Sequence, residues 1–376
     1  MRSLTQGVII AVLLVASSAH VRAQWSVGAG LETMIDDNVN NNVLRQSDRI
    51  SSFGLQAEYD WITERTNTGL LYEGAYNYYS MVPGRTNQGH AAGLTFAQLF
   101  GENEETLWNA AATYGMRLDR EEYAFYDNTS FALSNTIKHQ FSESMLGRAG
   151  YTFRLMRFSN LSTFNHAEHQ VFAQTSFFLP SQTTIIGQID LGMKLYSTPN
   201  EDSTVAGQSR GRRSSALSSP GVTQLTGSVR VGQSVFQNTG LSITGSYQLN
   251  IRKEIRYLGS SYGLIADDEI FDDHYGYEGP QAGIMLTQIL PWDMKLRLTG
   301  NVQRRTYASQ GAYDNAGVQV GAERLDSRSA LNVQVHIPVR ALGCTVGLAY
   351  DHIRNSSNDA YYDYTNNAFT LHLSYP

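Results

Sequence analysis

Leu241-Ser242-Ile243-Thr244-Gly245-Ser246-Tyr247-Gln248-Leu249-Asn250-Ile251-Arg252 alternates without a break. Leu241, Ile243, Gly245, Tyr247, Leu249 and Ile251 form one set, and Ser242, Thr244, Ser246, Gln248, Asn250 and Arg252 form the other. Side chains along a strand point to opposite faces in turn, so this segment has one apolar and one polar face. A half-buried strand of a soluble sheet reads the same way. Recurrence separates the two readings. The pattern returns along the chain, with short turns and longer loops in alternation, which is the signature of a transmembrane β-barrel with lipid outside and water inside.

Working outward from 241–252, strands are expected at 25–34, 50–61, 69–79, 90–100, 106–118, 129–139, 145–158, 167–179, 184–196 and 222–235 on the N-terminal side. On the C-terminal side they are expected at 276–289, 294–307, 325–337, 345–353 and 368–375. The fold class is therefore all-β: an antiparallel up-and-down transmembrane barrel of about 16 strands (roughly 14–18), even in number as bacterial barrels are. Even-to-odd connections such as 180–182 and 291–293 are short. Odd-to-even connections are expected to be longer, above all 197–219 and 253–275. Short turns belong on the periplasmic side, which places both termini there. A soluble or fibrous all-β protein is the alternative, but lipid permits no open sheet and a closed barrel leaves no edge strand.

The chain has 376 residues, a formal net charge of -6, and 22 Tyr against 4 Trp. Its mean hydropathy of -0.31 suits a barrel, in which only alternate residues meet lipid. Beyond the N-terminus no apolar run nears the ~20 residues of a membrane helix. Residues 1–23 read as a signal peptide: Arg2, then the apolar core 8–16, then Val21-Arg22-Ala23, with cleavage expected after Ala23 and one barrel domain over 24–376. An uncleaved anchor helix is the other reading of the same segment. The one cysteine, Cys344, permits no internal disulfide, and its phase with Val346 and Leu348 gives it a lipid-facing place.

The polar phase carries the candidate site. Glu32, Glu58, Asp60 and Glu73 would form an acidic wall of the lumen. From the fifth strand onward Arg117, Lys138, Arg148, Arg154, Lys194, Arg230, Arg252, Lys295, Arg297, Arg305 and Arg328 would form a basic wall, with Glu168, Asp190 and Asp351 interspersed. Opposed walls of unlike charge set up a transverse field in a narrow passage. The other reading is that these charges pair and only fill the lumen. A barrel of this width leaves an aqueous channel unless loops fold in. Arg210, Arg212 and Arg213 in one long loop could attract Asp267, Asp268, Glu269, Asp272 and Asp273 in the other, closing a lid.

No phosphate loop, zinc helix or nucleophile elbow occurs, so no catalytic residue, cofactor or metal is expected, and no nucleic-acid partner. The one enzyme-like cluster is Asp267, Asp268, Asp272, Asp273 and His274. It resembles, in residue type alone, the rim pairs of the omptin outer-membrane proteases. His166 and His169 lie three apart, on opposite faces of a strand, and are poorly placed for a shared metal.

The last strand, Phe369-Thr370-Leu371-His372-Leu373-Ser374-Tyr375, resembles the signal read by the barrel-assembly machinery, although Pro376 follows the usual terminal aromatic. Asp36-Asp37-Asn38-Val39, Asp48 and the Tyr-rich third strand resemble bacterial outer-membrane porins, in particular the barrel porins associated with exopolysaccharide gene clusters. A similar Asp-Asn segment opens barrels that export surface lipoproteins, which normally follow a periplasmic helical-repeat domain not seen here. The resemblance implies a Gram-negative outer-membrane barrel in contact with lipid and lipopolysaccharide, and leaves the direction of transport open. The excess of cations in the polar phase leads to the expectation of a water-filled channel for small polar solutes with mild anion preference. Export of an acidic polysaccharide and a closed structural or adhesive barrel stay open. Replacing Arg252, Arg297 and Arg305 together is expected to move selectivity toward cations.

Overall fold

The computed structural model describes residues 22–197, 220–256 and 274–375. It forms a closed barrel of sixteen antiparallel strands. In chain order they are β1 Arg22–Asp36, β2 Asp48–Ile62, β3 Thr66–Tyr79, β4 Asn87–Phe100, β5 Thr106–Asp119, β6 Asn128–Ser142, β7 Met145–Phe158 and β8 His166–Leu179. The second half continues with β9 Thr183–Tyr196, β10 Gly221–Phe236, β11 Thr239–Lys253, β12 Gly279–Ile289, β13 Lys295–Tyr313, β14 Gln319–Val339, β15 Cys344–Ser357 and β16 Tyr364–Tyr375. Each strand pairs with its sequence neighbours, and β1 closes on β16 from Ala29–Tyr375 to Asp36–Ala368. Closure leaves no open ladder of backbone groups, the condition a sheet must meet in lipid.

Register keeps the two faces apart all round the ring. Leu31 stands opposite Phe53, Phe53 opposite Tyr76, Ile243 opposite Ile284, and Leu348 opposite Leu371. A slip of one residue would turn a whole apolar set into the lumen. On the outside, Trp25, Ile251, Val302 and Phe369 are among many large apolar side chains more than half exposed. An apolar belt around an entire molecule exceeds what a soluble surface carries and matches a lipid boundary. Trp25, Trp61, Trp108 and Trp292 all lie at the end that bears the short connections, called here the turn end. Trp25 packs on Tyr59 at 4.7 Å, and Phe96 on Trp108 at 5.4 Å, giving that end an aromatic girdle.

The turn end holds the connections 63–65, 101–105, 143–144, 180–182, 237–238, 290–294 and 340–343. The opposite end, the loop end, carries the odd-to-even connections. One of these departs from the expected long loop: β13 and β14 run on to a turn at 314–318. Asp314 Oδ1 accepts from the backbone N–H groups of Ala316 and Val318, and Gly317 takes φ +74°. This local turn chemistry closes a hairpin that extends past the barrel wall. β12 starts at Gly279 rather than at 276, because 274–277 turns into the barrel interior. β1 takes in Arg22 and Ala23, which ladder against Ile62 and Trp61.

Candidate functional site

Residues two apart on a strand share a face. The register sets Glu32, Glu58, Asp60, Glu73, Arg117, Lys138, Arg148, Arg154 and Lys194 on the face opposite the apolar one. The same holds for Arg230, Arg252, Lys295, Arg297, Arg305 and Arg328. The acids stand on β1–β3 and the bases on β5–β14, so in a ring of sixteen strands β2 lies across from β10. Asp267, Asp268, Glu269, Asp272, Asp273, Arg210, Arg212 and Arg213 fall outside the described residues, as does most of the expected signal peptide.

Along the barrel axis the inner face divides in two. Toward the loop end the charges are paired and covered. Arg117 makes a bidentate pair with Asp119 at 2.8 and 2.9 Å and lies over the Tyr126 ring. Glu168 stands between Arg154 and Lys194 on the neighbouring strands, with Arg154 Nη1 at 3.5 Å and His166 Nε2 at 3.2 Å. Lys194 is buried against the face of Tyr196. Arg252 meets Glu254 at 2.6 Å, and this hydrogen bond holds the Glu254 carboxyl below its usual range. Arg305 is held by Gln303 and stacks on Tyr277 at 4.3 Å. Arg324 and Asp326, the most buried pair, join at 3.1 and 2.6 Å between the rings of Tyr307 and Tyr362. Asn355 and Ser357 donate to the remaining lone pairs of Asp326.

The connections at this end fold inward over these pairs. In 37–47 the side chains of Asn38 and Asn42 are fully buried. Asn38 Nδ2 donates to the carbonyls of Asn42 and Thr365, Asn366 Nδ2 donates to the Asn38 carbonyl, and Arg85 donates to Asn40 Oδ1. Leu161 and Phe164 pack on Phe158 and Tyr196. Gln224, Gln248 and Asn250 of β10 and β11 donate to carbonyls of 274–277. The result is a collar of Arg–Tyr and Lys–Tyr stacks, each joining a charge on the wall to a ring on the wall or on an inturned connection.

Toward the turn end the inner charges make no ion pair among the described residues. Glu58 and Asp60 converge over Gly69, where a Cβ would lie 3.0 Å from Asp60 Oδ1 and 3.7 Å from Glu58 Oε1. Among the described residues neither they nor Glu32 and Glu73 make a hydrogen bond or ion pair. To either side of them in the ring, Lys138 of β6 is the cross-strand neighbour of Arg148 on β7, and Lys295 of β13 that of His336 on β14. Arg148 lies over the Phe172 ring at 5.3 Å, and the buried Nε of Arg297 has no acceptor. Arg230 is held only by a 3.3 Å bond to Thr244. His336 and His372 add two rings 5.5 Å apart.

All of the expected basic wall except Arg230 and Arg328 thus falls into two populations. Arg117, Arg154, Lys194, Arg252 and Arg305 are locked into the loop-end structure. Lys138, Arg148, Lys295 and Arg297 are not. Of the three arginines that the sequence singles out for a selectivity test, only Arg297 belongs to the second group. Sequence reading passes over Arg85, Asp119, Glu254, Arg324, Asp326 and the collar tyrosines. Three of the pairs are legible as Arg-x-Asp or Arg-x-Glu, the spacing that puts both groups on one strand face.

Barrels of similar fold occur among solved structures. The solved structure of OccAB1 from Acinetobacter baumannii superposes with a TM-score of 0.55 at 8% identity, covering 96% of this chain and 98% of that one. The outer membrane protein OprD from Pseudomonas aeruginosa gives 0.51 at 10% identity, with 95% and 96% covered. The fold is that of an outer-membrane barrel. Residues 237–375, which hold β11–β16, also match the family described as surface lipoprotein assembly modifier. No curated protein sequence matches the chain.

Proposed function

We propose that this barrel is a porin of the Gram-negative outer membrane, with a water-filled lumen that passes small polar solutes and mildly prefers anions. The observation that carries the reading is the set of like charges at the turn end that make no ion pair among the described residues: Lys138 opposite Arg148, Lys295 beside Arg297, and Glu58 beside Asp60. Like charges set opposite one another in a sheet destabilise it. Groups kept at that cost, with no partner, serve a solute rather than the fold. Cations outnumber carboxylates there, which gives the preference its sign. In this reading the loop end faces outward, the termini are periplasmic, the signal is cleaved after Ala23, and no side chain has a catalytic role. The test is recording in planar bilayers. Steady single-channel steps are expected from the purified protein, and a silent membrane would mean a closed barrel.

The match of 237–375 favours a second reading, in which the barrel modifies the assembly of a surface lipoprotein. It is distinguished by deletion. If surface display of a lipoprotein falls while small-solute uptake is unchanged, the second reading stands and the porin reading does not.

A further inference from the structure

The outer surface of β11–β15 carries an apolar groove of about 460 Å³, lined by Ile243, Ile284, Gly300, Val302, Leu331 and His352. These lining residues share the exposed, lipid-facing phase. Along β13 that phase runs Leu296, Leu298, Gly300, Val302 and then Arg304. A tilted strand crosses the hydrocarbon in ~9–11 residues, so Arg304 stands at headgroup level on the loop-end side. Arg304 is exposed and has no hydrogen bond or ion pair among the described residues. Its backbone is fixed by β12, since Gly279 at φ +143° presses so close that a Cβ would collide with the Arg304 carbonyl. Two further cations flank it in the same phase. Lys253 meets Glu278 at 2.6 Å, and Arg354 meets Asp363 at 2.5 Å. The groove's upper rim therefore holds three cations against two carboxylates.

We propose that this groove and its rim bind a phosphorylated glycolipid of the outer leaflet, with acyl chains in the groove and a phosphate on Arg304. The proposal rests on the outer-membrane placement above, and on no property of the lumen. Guanidinium groups match phosphate oxygens in a bidentate fork. Arg304 and Arg354 sit on β13 and β15, two strand spacings or ~10 Å apart, which suits a headgroup with a phosphate at each end better than a single phosphodiester. The groove spans five strands and admits more than one chain.

The experiment is native mass spectrometry of the full-length barrel in detergent micelles. The probes are purified lipid A, dephosphorylated lipid A and phosphatidylglycerol. Wild type is expected to retain lipid A above both other lipids. Arg304→Gln and, separately, Gly300→Leu, which fills the groove, should each weaken retention about tenfold, or ~1.4 kcal/mol. Arg49→Gln, which removes an exposed outward arginine on β2 away from the groove, should leave it unchanged. Equal retention of the three lipids overturns the proposal. So does an unaltered Arg304→Gln protein, or an Arg49→Gln loss as large as that of Arg304→Gln. Folding of each variant is checked by heat-modifiable migration. A barrel that fractionates away from the outer membrane would sink the placement instead, and micelle binding reads the site independently of it.

Discussion

Asp326 shows what a single residue does at the loop end. It holds the guanidinium of Arg324 with both oxygens and accepts from Asn355 and Ser357, with Arg324, Asp326 and Asn355 themselves buried. Removing one partner of a buried pair leaves the other charge uncompensated, at a cost of about 3–5 kcal/mol. Asp326→Ala is therefore expected to lower the urea midpoint of the folded, heat-modifiable band markedly. Asp351→Ala, which frees only the Asn332 amide on the lumen wall, should lower it much less. Arg324-x-Asp326 is legible in the sequence as a same-face pair, as are Arg117-x-Asp119 and Arg252-x-Glu254. The closing of Tyr307 and Tyr362 over Arg324 is not legible there. Tyr362 comes from the β15–β16 connection, and nothing local in the sequence ties it to β14.

At the scale of elements, strands are legible and connections are not. Alternation over 241–252 survives as β11 because burial and lipid exposure act on every second residue. The segment 37–47 is recognisable as irregular from its Asn and Asp content. Its place inside the barrel depends on Thr365, Tyr361 and Asn366, more than three hundred residues away in sequence. The β13–β14 hairpin escapes the sequence reading because a few residues of turn, Asp314 to Val318, replace the long loop that the alternation of connection lengths leads one to expect. Gly317 is required there. Gly317→Ala places a Cβ in the left-handed region at a cost of ~1–2 kcal/mol, and should loosen the hairpin without unfolding the barrel. Faster amide exchange confined to 308–324 would show this, whereas an unchanged exchange pattern would contradict the assigned turn. The tryptophans give a second element-scale prediction. All four lie in the turn-end girdle, so lipids carrying a quencher near the headgroup should quench their fluorescence more than lipids quenched at mid-chain. The reverse order would place the membrane boundary elsewhere.

For the molecule as a whole, charge is sorted along the axis as well as around it. The loop end commits its cations to carboxylates and tyrosine rings, and so builds an inturned collar. The turn end keeps Glu58 and Asp60 on β2, with Lys138 and Arg148 on β6 and β7 to one side of them and Lys295 and Arg297 on β13 to the other. Reading alternate residues is enough to assign these groups to one face, because phase is a local property. Which of them are neutralised depends on depth along the barrel and on loops folding back, and neither is written into a strand's own pattern. Two unit charges ~4 Å apart interact by about 1 kcal/mol in bulk water and by about 4 kcal/mol at an effective dielectric near 20. In the proposed water-filled lumen such charges fall between these limits, enough to bias permeation several-fold and to be weakened by added salt.

The most direct test of the central claim is the reversal potential of the purified barrel in a planar bilayer under a salt gradient. The account predicts the sign of mild anion selectivity, declining at high salt. It further predicts a shift toward cations when Lys138, Arg148, Lys295 and Arg297 are replaced together by Gln, and a smaller shift when Arg252 and Arg305 are replaced. A wild-type barrel that already selects cations, or a fourfold variant with unaltered selectivity, would contradict it.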